Sequence, residues 1–301
     1  MKDDDDPCSG LFERVAPERT RELIREYDLE INKSLGQNFL RNRSVLEKAV
    51  TAADLSEKDR VIEIGPGLGA LTGFILKHLT TGEVLAVEKD EKLSDILDEL
   101  LGEHPALEIM TADALELDWS EVISSRDFDR GYKLMANLPY YITSPLIRTF
   151  LEADMPPDLM VLMVQKEVAE RITAEPGGGD YGILSIAVQF YCRPEIIEIV
   201  PPDFFTPEPD VHSALIRLNM SSGPRYRVSD REFFFRTVRA MFGQRRKMLR
   251  NSLSGSPELP ADKEEAKKAL AAAGIDERLR GEKLSIEEVI KLSEELKSIL
   301  N

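Results

Sequence analysis

Residues 60–69 read Arg-Val-Ile-Glu-Ile-Gly-Pro-Gly-Leu-Gly, a short apolar run that passes directly into a glycine-rich loop. The run is typical of a buried parallel strand, and Leu71, Ile75 and Leu79 follow it at helical spacing. Glycines permit positive φ and let a ligand approach the backbone, while the start of a helix presents unpaired N–H groups. The stretch therefore predicts a strand, a loop that binds a ligand, and a helix.

Six further runs of β-forming residues alternate with helical stretches. This alternation is typical of βαβ units in a sheet with helices on both faces. We therefore predict an α/β, Rossmann-like fold whose sheet has seven strands: Arg60–Ile64, Glu83–Val87, Leu107–Thr111, Tyr132–Ala136, Leu159–Val164, Glu195–Val200 and Ser213–Leu218.

Three segments follow from these patterns. Residues 1–33 are expected to form an N-terminal tail and a peripheral helix, residues 34–222 the sheet domain, and residues 223–301 a small helical domain. In the helical domain, Asp262 with Glu265 and Ser285 with Glu288 have the spacing of capping boxes.

The composition excludes several classes of protein. The chain has 301 residues, with 39 basic and 55 acidic side chains, and its net charge is −16. No uncharged apolar run approaches the roughly 18 residues of a membrane helix, and the start of the chain lacks the features of a secretory signal. Cys8 and Cys192 give no disulfide framework, and the three histidines lie in unrelated contexts, so we expect no metal site. We expect a cytoplasmic protein, and a monomer.

Two acidic residues lie at the ends of the second and third predicted strands. Glu88 follows the glycine loop by about twenty residues, where an acid binds ribose hydroxyls in such folds. Asp113 could accept a hydrogen bond from an adenine amino group. With Gly65 and Gly67 they indicate a nucleoside-containing ligand, but a dinucleotide stays open because Gly65-x-Gly67-x-x-Ala70 also matches its pattern.

The fourth predicted strand ends in Asn137-Leu138-Pro139-Tyr140, which suits transfer of a group to an amine. An exocyclic adenine amine is a poor nucleophile because its lone pair is delocalised into the ring. The Asn137 side-chain oxygen and the Leu138 carbonyl could accept hydrogen bonds from the two N–H groups of this amine. These bonds would direct the nitrogen lone pair at an electrophilic methyl. Pro139 stiffens the turn, and Tyr140 offers a face on which a base can stack.

Four motifs occur in order: 34–40 (Ser-Leu-Gly-Gln-Asn-Phe-Leu), 63–69 (Glu-Ile-Gly-Pro-Gly-Leu-Gly), 137–140 (Asn-Leu-Pro-Tyr) and 205–213 (Phe-Thr-Pro-Glu-Pro-x-Val-x-Ser). With them the chain resembles the ribosomal RNA adenine dimethyltransferase family, and most closely its small-subunit branch. The resemblance runs from about Lys33 to Leu253. It implies the sheet of a class I methyltransferase, S-adenosylmethionine as methyl donor, and two adjacent adenosines near the 3′ end of small-subunit rRNA as substrate.

Carried over by motif, the resemblance also implies individual roles. An aromatic residue that closes over the target base falls on Phe205, opposite Tyr140; the alternative is a core phenylalanine beside Phe204. His212 departs from the family, which usually has Asp or Asn there, and we expect altered loop hydrogen bonding. The expected donor contacts are Asn38, Leu40, Gly65, Glu88, Asp113 and Asn137.

One segment of this acidic chain is strongly basic. Between Arg217 and Arg250 only Asp230 and Glu232 oppose ten basic residues. Interpreted as one helix, residues 236–250 carry Arg236, Arg239, Arg246 and Arg250 on one stripe suited to phosphate groups, the alternative being a solvated helix face. The predicted RNA-binding residues are Arg236, Arg239, Arg245, Arg246, Lys247 and Arg250.

The expected partner is therefore the immature small ribosomal subunit, in whose biogenesis the protein would act, with no membrane and no metal. Two alternatives stay open: an enzyme of the same family that acts on large-subunit rRNA, and an assembly checkpoint factor whose main role is binding.

Overall fold

A computed structural model describes residues 9–31, 36–221, 223–244 and 246–300. The chain divides into two compact units. Unit 1 comprises Met1–Ala169 and Pro194–Ser222, and unit 2 comprises Glu170–Arg193 and Gly223–Asn301.

Unit 1 is built on a seven-stranded sheet, as predicted. The strand order is β4-β3-β2-β5-β6-β9-β7; β2 to β6 run parallel, and β9 pairs antiparallel with β6. All seven predicted strands are confirmed to within two residues at either end, because each apolar run has the length of one buried strand. The bounds are β2 Arg60–Ile64, β3 Glu83–Glu88, β4 Leu107–Thr111, β5 Lys133–Asn137, β6 Leu159–Gln165, β7 Arg193–Val200 and β9 Ser213–Asn219.

Two short strands form a separate antiparallel pair. β1 (Phe39–Leu40) pairs with β8 (Phe205–Thr206), so that Leu40 faces Phe205 in register. This pair joins a segment before the glycine loop to a loop near the end of the unit.

Helices connect the strands of unit 1. Asp90 and Asp118 cap two of them, since each side chain accepts hydrogen bonds from the first backbone N–H groups. The helices before Ala169 are α1 Ser9–Arg14, α2 Thr20–Glu26, α3 Arg43–Ala53, α4 Ala70–Leu76, α5 Glu91–Leu101, α6 Trp119–Ser124 and α7 Thr143–Glu152, and α8 Lys166–Thr173 follows β6.

The N-terminal helices are less peripheral than the sequence suggested. Leu11, Phe12 and Val15 are buried and belong to the hydrophobic core of unit 1. Val15 packs so closely on α4 that a Cβ added to Gly73 would lie 2.7 Å from its Cγ2. The apolar side of α1 therefore completes this core.

Unit 2 is helical and takes in a segment assigned from sequence to the sheet domain. Residues 170–193 group with it, and within the unit Phe190 packs against Phe234, with ring centroids 4.9 Å apart and ring planes tilted by 32°. Both predicted capping boxes are confirmed, at Asp262 and at Ser285. Its helices are α9 Ile183–Tyr191, α10 Arg231–Phe242, α11 Leu249–Ser254, α12 Lys263–Ala273 and α13 Ile286–Leu300.

In the parts of the chain that the structure describes, no helix has both the length and the apolar character needed to cross a membrane.

Candidate active site

A cleft opens in unit 1 at the carboxyl ends of β2, β3 and β5. Residues 36–38, which lead into β1, also line it. The empty space in it is about 1030 Å³, counting its open mouth. All the predicted donor-binding residues line it, and so do two further residues of the polar corner: Asn38, Leu40, Gly65, Gly67, Glu88, Asp113 and Asn137, with Leu138 and Pro139.

The glycine loop is the floor of this cleft. Gly65 and Gly67 have φ of +67° and +57°, a backbone conformation that side chains disfavour. At Gly67 a Cβ would also lie 3.0 Å from the Phe39 ring. Glycine is therefore required both by the turn and by the close approach of the segment above it.

Glu88, at the end of β3, is tied to the loop. Its Oε2 accepts a hydrogen bond from the Gly67 backbone N–H at 3.1 Å, and its Oε1 accepts one from the Asp90 N–H at 3.0 Å. Burial raises the pKa of Glu88, an effect that these two backbone bonds oppose. Each carboxylate oxygen has a second lone pair, so Glu88 can brace the loop and still accept from a ligand hydroxyl.

Asp113, after β4, is more exposed. Lys89 Nζ donates to its Oδ2 at 2.7 Å, and this hydrogen bond lowers the pKa of Asp113. The Leu115 backbone N–H donates to the other oxygen at 2.9 Å. The carboxylate is therefore held charged and fixed at the wall of the cleft.

Glu63 is a cleft residue that was not singled out from sequence. It is 1% exposed, and its Oε2 has no hydrogen-bond partner among the described residues. Burial raises its pKa to about 8; the Thr72 hydroxyl acts in the opposite direction, and the charge of Glu88 adds to the rise. The sequence does contain a signal for this residue, because Glu63 is a carboxyl side chain within an otherwise apolar run that is typical of a buried strand.

The polar corner lies directly after β5. Asn137 Nδ2 donates to the Asn38 carbonyl at 2.9 Å, which leaves Oδ1 as the acceptor of that amide. The Leu138 N–H donates to the Met163 carbonyl at 3.3 Å, which holds the turn against β6. Pro139 has φ of −55°, the range its ring imposes. The corner is thus anchored on two sides.

The two tyrosines after the corner differ in exposure. Tyr140 is half-buried, and its hydroxyl lies 2.9 Å from Ser213 Oγ. Burial raises the pKa of Tyr140. Tyr141, which was not singled out from sequence, is 53% exposed and lines the mouth of the cleft.

Phe205 does not occupy the position expected for a base clamp. It is 1% exposed and belongs to the hydrophobic core of unit 1, whereas Phe204 is only partly buried. Its pairing with Leu40 in the β1–β8 pair turns the ring inward. In the structure, Phe205 therefore matches the core alternative and does not lie over the cleft.

The expected arginine stripe is not one helix. α10 ends at Phe242 and α11 begins at Leu249, so Arg246 and Arg250 do not continue the face of Arg236 and Arg239. Gly243 caps α10, and the segment after it interrupts the helix.

Two of these arginines have acidic partners distant in sequence, and a third bonds to a backbone carbonyl. Arg239 forms an ion pair with Glu258 at 2.8 Å and Arg250 one with Glu277 at 2.9 Å, while Arg236 Nε donates to the Glu258 carbonyl. These contacts lie within unit 2 and serve its packing.

Of the predicted RNA-binding residues that the structure describes, Arg246 and Lys247 are the two that are exposed. Both are exposed, and neither side chain has an ion pair within the described part of the chain. Arg245 lies outside the described residues.

Among residues 9–31, 36–221, 223–244 and 246–300, no cluster of three or more His, Cys, Asp or Glu side chains could hold a metal ion.

The order of the sheet, the glycine loop after β2, the acid at the end of β3 and the polar corner after β5 together define an α/β methyltransferase. The solved structure of the 23S rRNA methyltransferase ErmE supports this class: it is 26% identical, has a TM-score of 0.64, and the match covers 86% of this chain and all of that one. A dimethyladenosine transferase from Plasmodium falciparum shares the fold with a TM-score of 0.69, at 24% identity over 86% of this chain and 98% of that one.

Comparison with known sequences identifies the family within this class of methyltransferases. The family model described as ribosomal RNA adenine dimethylase matches residues 28–298. Proteins named ribosomal RNA small subunit methyltransferase A are 48% identical in Halothermothrix orenii (94% of this chain, 93% of that protein) and 44% identical in Clostridioides difficile (91% and 93%). The chain belongs to the ribosomal RNA adenine dimethylase family, and it is a methyltransferase.

Proposed function

We propose that this enzyme transfers methyl groups from S-adenosylmethionine to the exocyclic amines of two adjacent adenosines near the 3′ end of small-subunit rRNA. The observation that carries the proposal is the corner after β5. The Asn137 side-chain N–H donates to the Asn38 carbonyl, which leaves Oδ1 as the acceptor of this amide. Asn137 lines a cleft together with the glycine loop, Glu88 and Asp113, the residues expected to bind a nucleoside. The names of the bacterial relatives support the small subunit as the target.

The residues of the cleft fit the methyl donor. The cradle over Gly67 has no room for a side chain, and the buried Glu63 Oε2 is a polar atom without a partner in the described chain. Glu88 would hold the ribose hydroxyls and Asp113 the adenine amine, while Asn38, Leu40 and Gly65 would contact the remainder. When bound, this group supplies an electrophilic methyl on a sulfonium.

The chain's own contribution is to orient the acceptor. Asn137 Oδ1 and the Leu138 carbonyl each accept one N–H of the target amine, which favours a pyramidal nitrogen with its lone pair directed into the cleft. The bonds to Asn38 and Met163 hold both acceptors in place before the amine arrives. No strong general base is needed if the amine loses its proton after the methyl has moved.

Tyr140 supplies the stacking face for the base. Stacking of a base on an aromatic ring contributes about 1–3 kcal/mol, comparable with the few kcal/mol needed to extract a base from its stack. The hydrogen bond with Ser213 anchors the hydroxyl end of the side chain. In unit 2, the side chains of Arg246 and Lys247 would bind phosphate groups of the rRNA. Because the substrate is a ribosomal subunit, we also propose that the reaction takes place in the cytoplasm.

The test is to incubate the protein with labelled S-adenosylmethionine and immature small subunits, and with large subunits in parallel. We expect dimethyladenosine at two adjacent positions in small-subunit rRNA only. Label in large-subunit rRNA would instead support the activity named for ErmE, and another methylated nucleoside would contradict the proposal.

A function that consists only of binding is tested separately. An Asn137→Ala variant that still complements a deletion strain would assign the essential role to binding of the immature subunit, since methylation would be lost.

A further inference from the structure

Residues 36–41, here called the β1 segment, contact the glycine loop, the corner after β5 and the strand β8. The ring of Phe39 packs over Gly67 of the glycine loop, and the Asn38 carbonyl accepts the hydrogen bond from Asn137. Leu40 lines the cleft and pairs with Phe205 in the β1–β8 pair. The β1 segment therefore contacts the donor cleft, the corner and β8, the strand that leads into residues 207–212.

Arg41 contacts residues 203–205, which lead through β8 into the loop at 207–212. Its backbone N–H donates to the Phe204 carbonyl at 2.9 Å. Its side chain donates from Nη2 to the Asp203 carbonyl at 2.7 Å and from Nε to the Phe205 carbonyl at 3.4 Å. One residue therefore holds three successive carbonyls, and the rigid fork of a guanidinium is what allows two of them to be held at once.

The far end of the same loop is anchored on the acceptor side. Ser213, fully buried at the start of β9, bonds to the hydroxyl of Tyr140, and the Lys166 N–H donates to the His212 carbonyl at 2.9 Å. Residues 207–212 lie between these anchors in the chain, and Val211 is 44% exposed. The loop therefore begins at β8, which pairs with β1 of the donor cleft, and ends at Ser213, which bonds to Tyr140.

We propose that Arg41 is a positioning residue that couples the donor cleft to the loop at 207–212, so that methyl donor and RNA each strengthen binding of the other. Contacts of the donor with Asn38 and Leu40 fix β1, and Arg41 transmits that order to the loop and hence to the surface around Tyr140. The coupling is reciprocal, because linkage requires each ligand to change the affinity of the other by the same factor. The inference rests on the proposed function.

The experiment measures this factor directly. The affinity of immature small subunits for the protein is determined with and without saturating S-adenosylhomocysteine, and the affinity of S-adenosylhomocysteine with and without subunits. For the wild type we expect each ligand to tighten the other at least about fivefold, at the lower end of typical coupling. For Arg41→Ala we expect the factor to fall to about one, with the affinity for S-adenosylhomocysteine alone changed less than about threefold.

Two further variants keep the test decisive. Arg41→Lys retains the charge but can reach one carbonyl, so it should fold like the wild type and lose most of the coupling even if Arg41→Ala is unstable. Arg43→Ala is the matched control, because Arg43 pairs with Glu18 at 2.9 Å and does not touch the loop; its factor should equal that of the wild type.

The outcomes separate this inference from the proposed function. Wild-type coupling near one, or coupling that is unchanged in both Arg41 variants, overturns the role of Arg41. Absence of binding to both S-adenosylhomocysteine and small subunits in the wild type overturns the proposed function instead.

Discussion

Asn137 is the residue on which the proposed chemistry depends most directly. Replacing it with Ala removes the acceptor oxygen and the bond to Asn38 together. Loss of one preorganised hydrogen-bonding group in an active site typically costs about 10²–10³ in rate. We therefore expect the single-turnover rate of Asn137→Ala on small subunits to fall by about this factor, with thermal unfolding little changed; a rate within about threefold of wild type would contradict the assigned role.

Glu63 makes a prediction about stability and pH. Its pKa is raised from the ordinary 4.5 to about 8 by burial, so the folded protein binds a proton that the unfolded chain releases between these values. Stability therefore decreases as pH rises through this window. Glu63→Gln, which stays neutral, should be more stable than the wild type by a few kcal/mol at pH 9 and nearly equal to it at pH 4.

Urea unfolding at both pH values measures this difference, with the exposed Glu57→Gln as control. Burial also raises the pKa of Glu88, and this residue is still present in the Glu63→Gln variant. The free energy of unfolding of the variant should therefore still decrease as pH rises, but less steeply than that of the wild type. Equal slopes for Glu63→Gln and wild type would contradict a neutral buried carboxyl.

At the level of elements, the strands were predictable and one helix was not. Each buried strand is a local run of apolar residues with polar or glycine ends, and such a run carries its own boundaries. The stretch from Arg236 to Arg250 has helical periodicity throughout, yet α10 stops at Phe242. The helix is capped at Gly243, a residue of low helix propensity, which the spacing of the arginines alone does not take into account.

The β1–β8 pair likewise explains the difference at Phe205. The motif that contains this residue could not show which way its ring points, because that depends on pairing with Leu40, which lies 165 positions earlier in the sequence. The same limit hid Arg41, whose partners are distant backbone carbonyls.

Phe205 is therefore expected to act through stability. Phe205→Ala should cost about 3–5 kcal/mol of unfolding free energy, as for other buried phenylalanines. Phe205→Leu, which keeps most of the volume, should retain wild-type KM for small subunits below its unfolding temperature. A Phe205→Leu variant of wild-type stability with a clearly raised KM for RNA would restore the base-clamp role.

Over the whole molecule, net charge is a poor guide to RNA binding. The total of −16 does not describe the exposed cations at Arg246 and Lys247, since screening confines their field to about 8–10 Å. Conversely, the count of basic residues overstated the basic surface, because Glu258 and Glu277 neutralise Arg239 and Arg250 in the folded protein.

This distinction predicts the salt dependence of binding. A double substitution Arg246→Ala and Lys247→Ala should reduce the slope of log K against log salt by up to about one unit per side chain. The matched double substitution Arg239→Ala and Arg250→Ala should lower the unfolding temperature and change the slope less. An unchanged slope in the first pair would contradict phosphate binding at these positions.

The geometry of the corner can be tested most directly by solving the structure of the protein with S-adenosylhomocysteine and an RNA fragment that carries the target adenosines. We predict that the exocyclic nitrogen of one adenine lies at hydrogen-bond distance, about 2.9–3.0 Å, from both Asn137 Oδ1 and the Leu138 carbonyl. An adenine bound with its amine beyond reach of both oxygens, or a nucleoside other than adenosine in that position, would contradict the account.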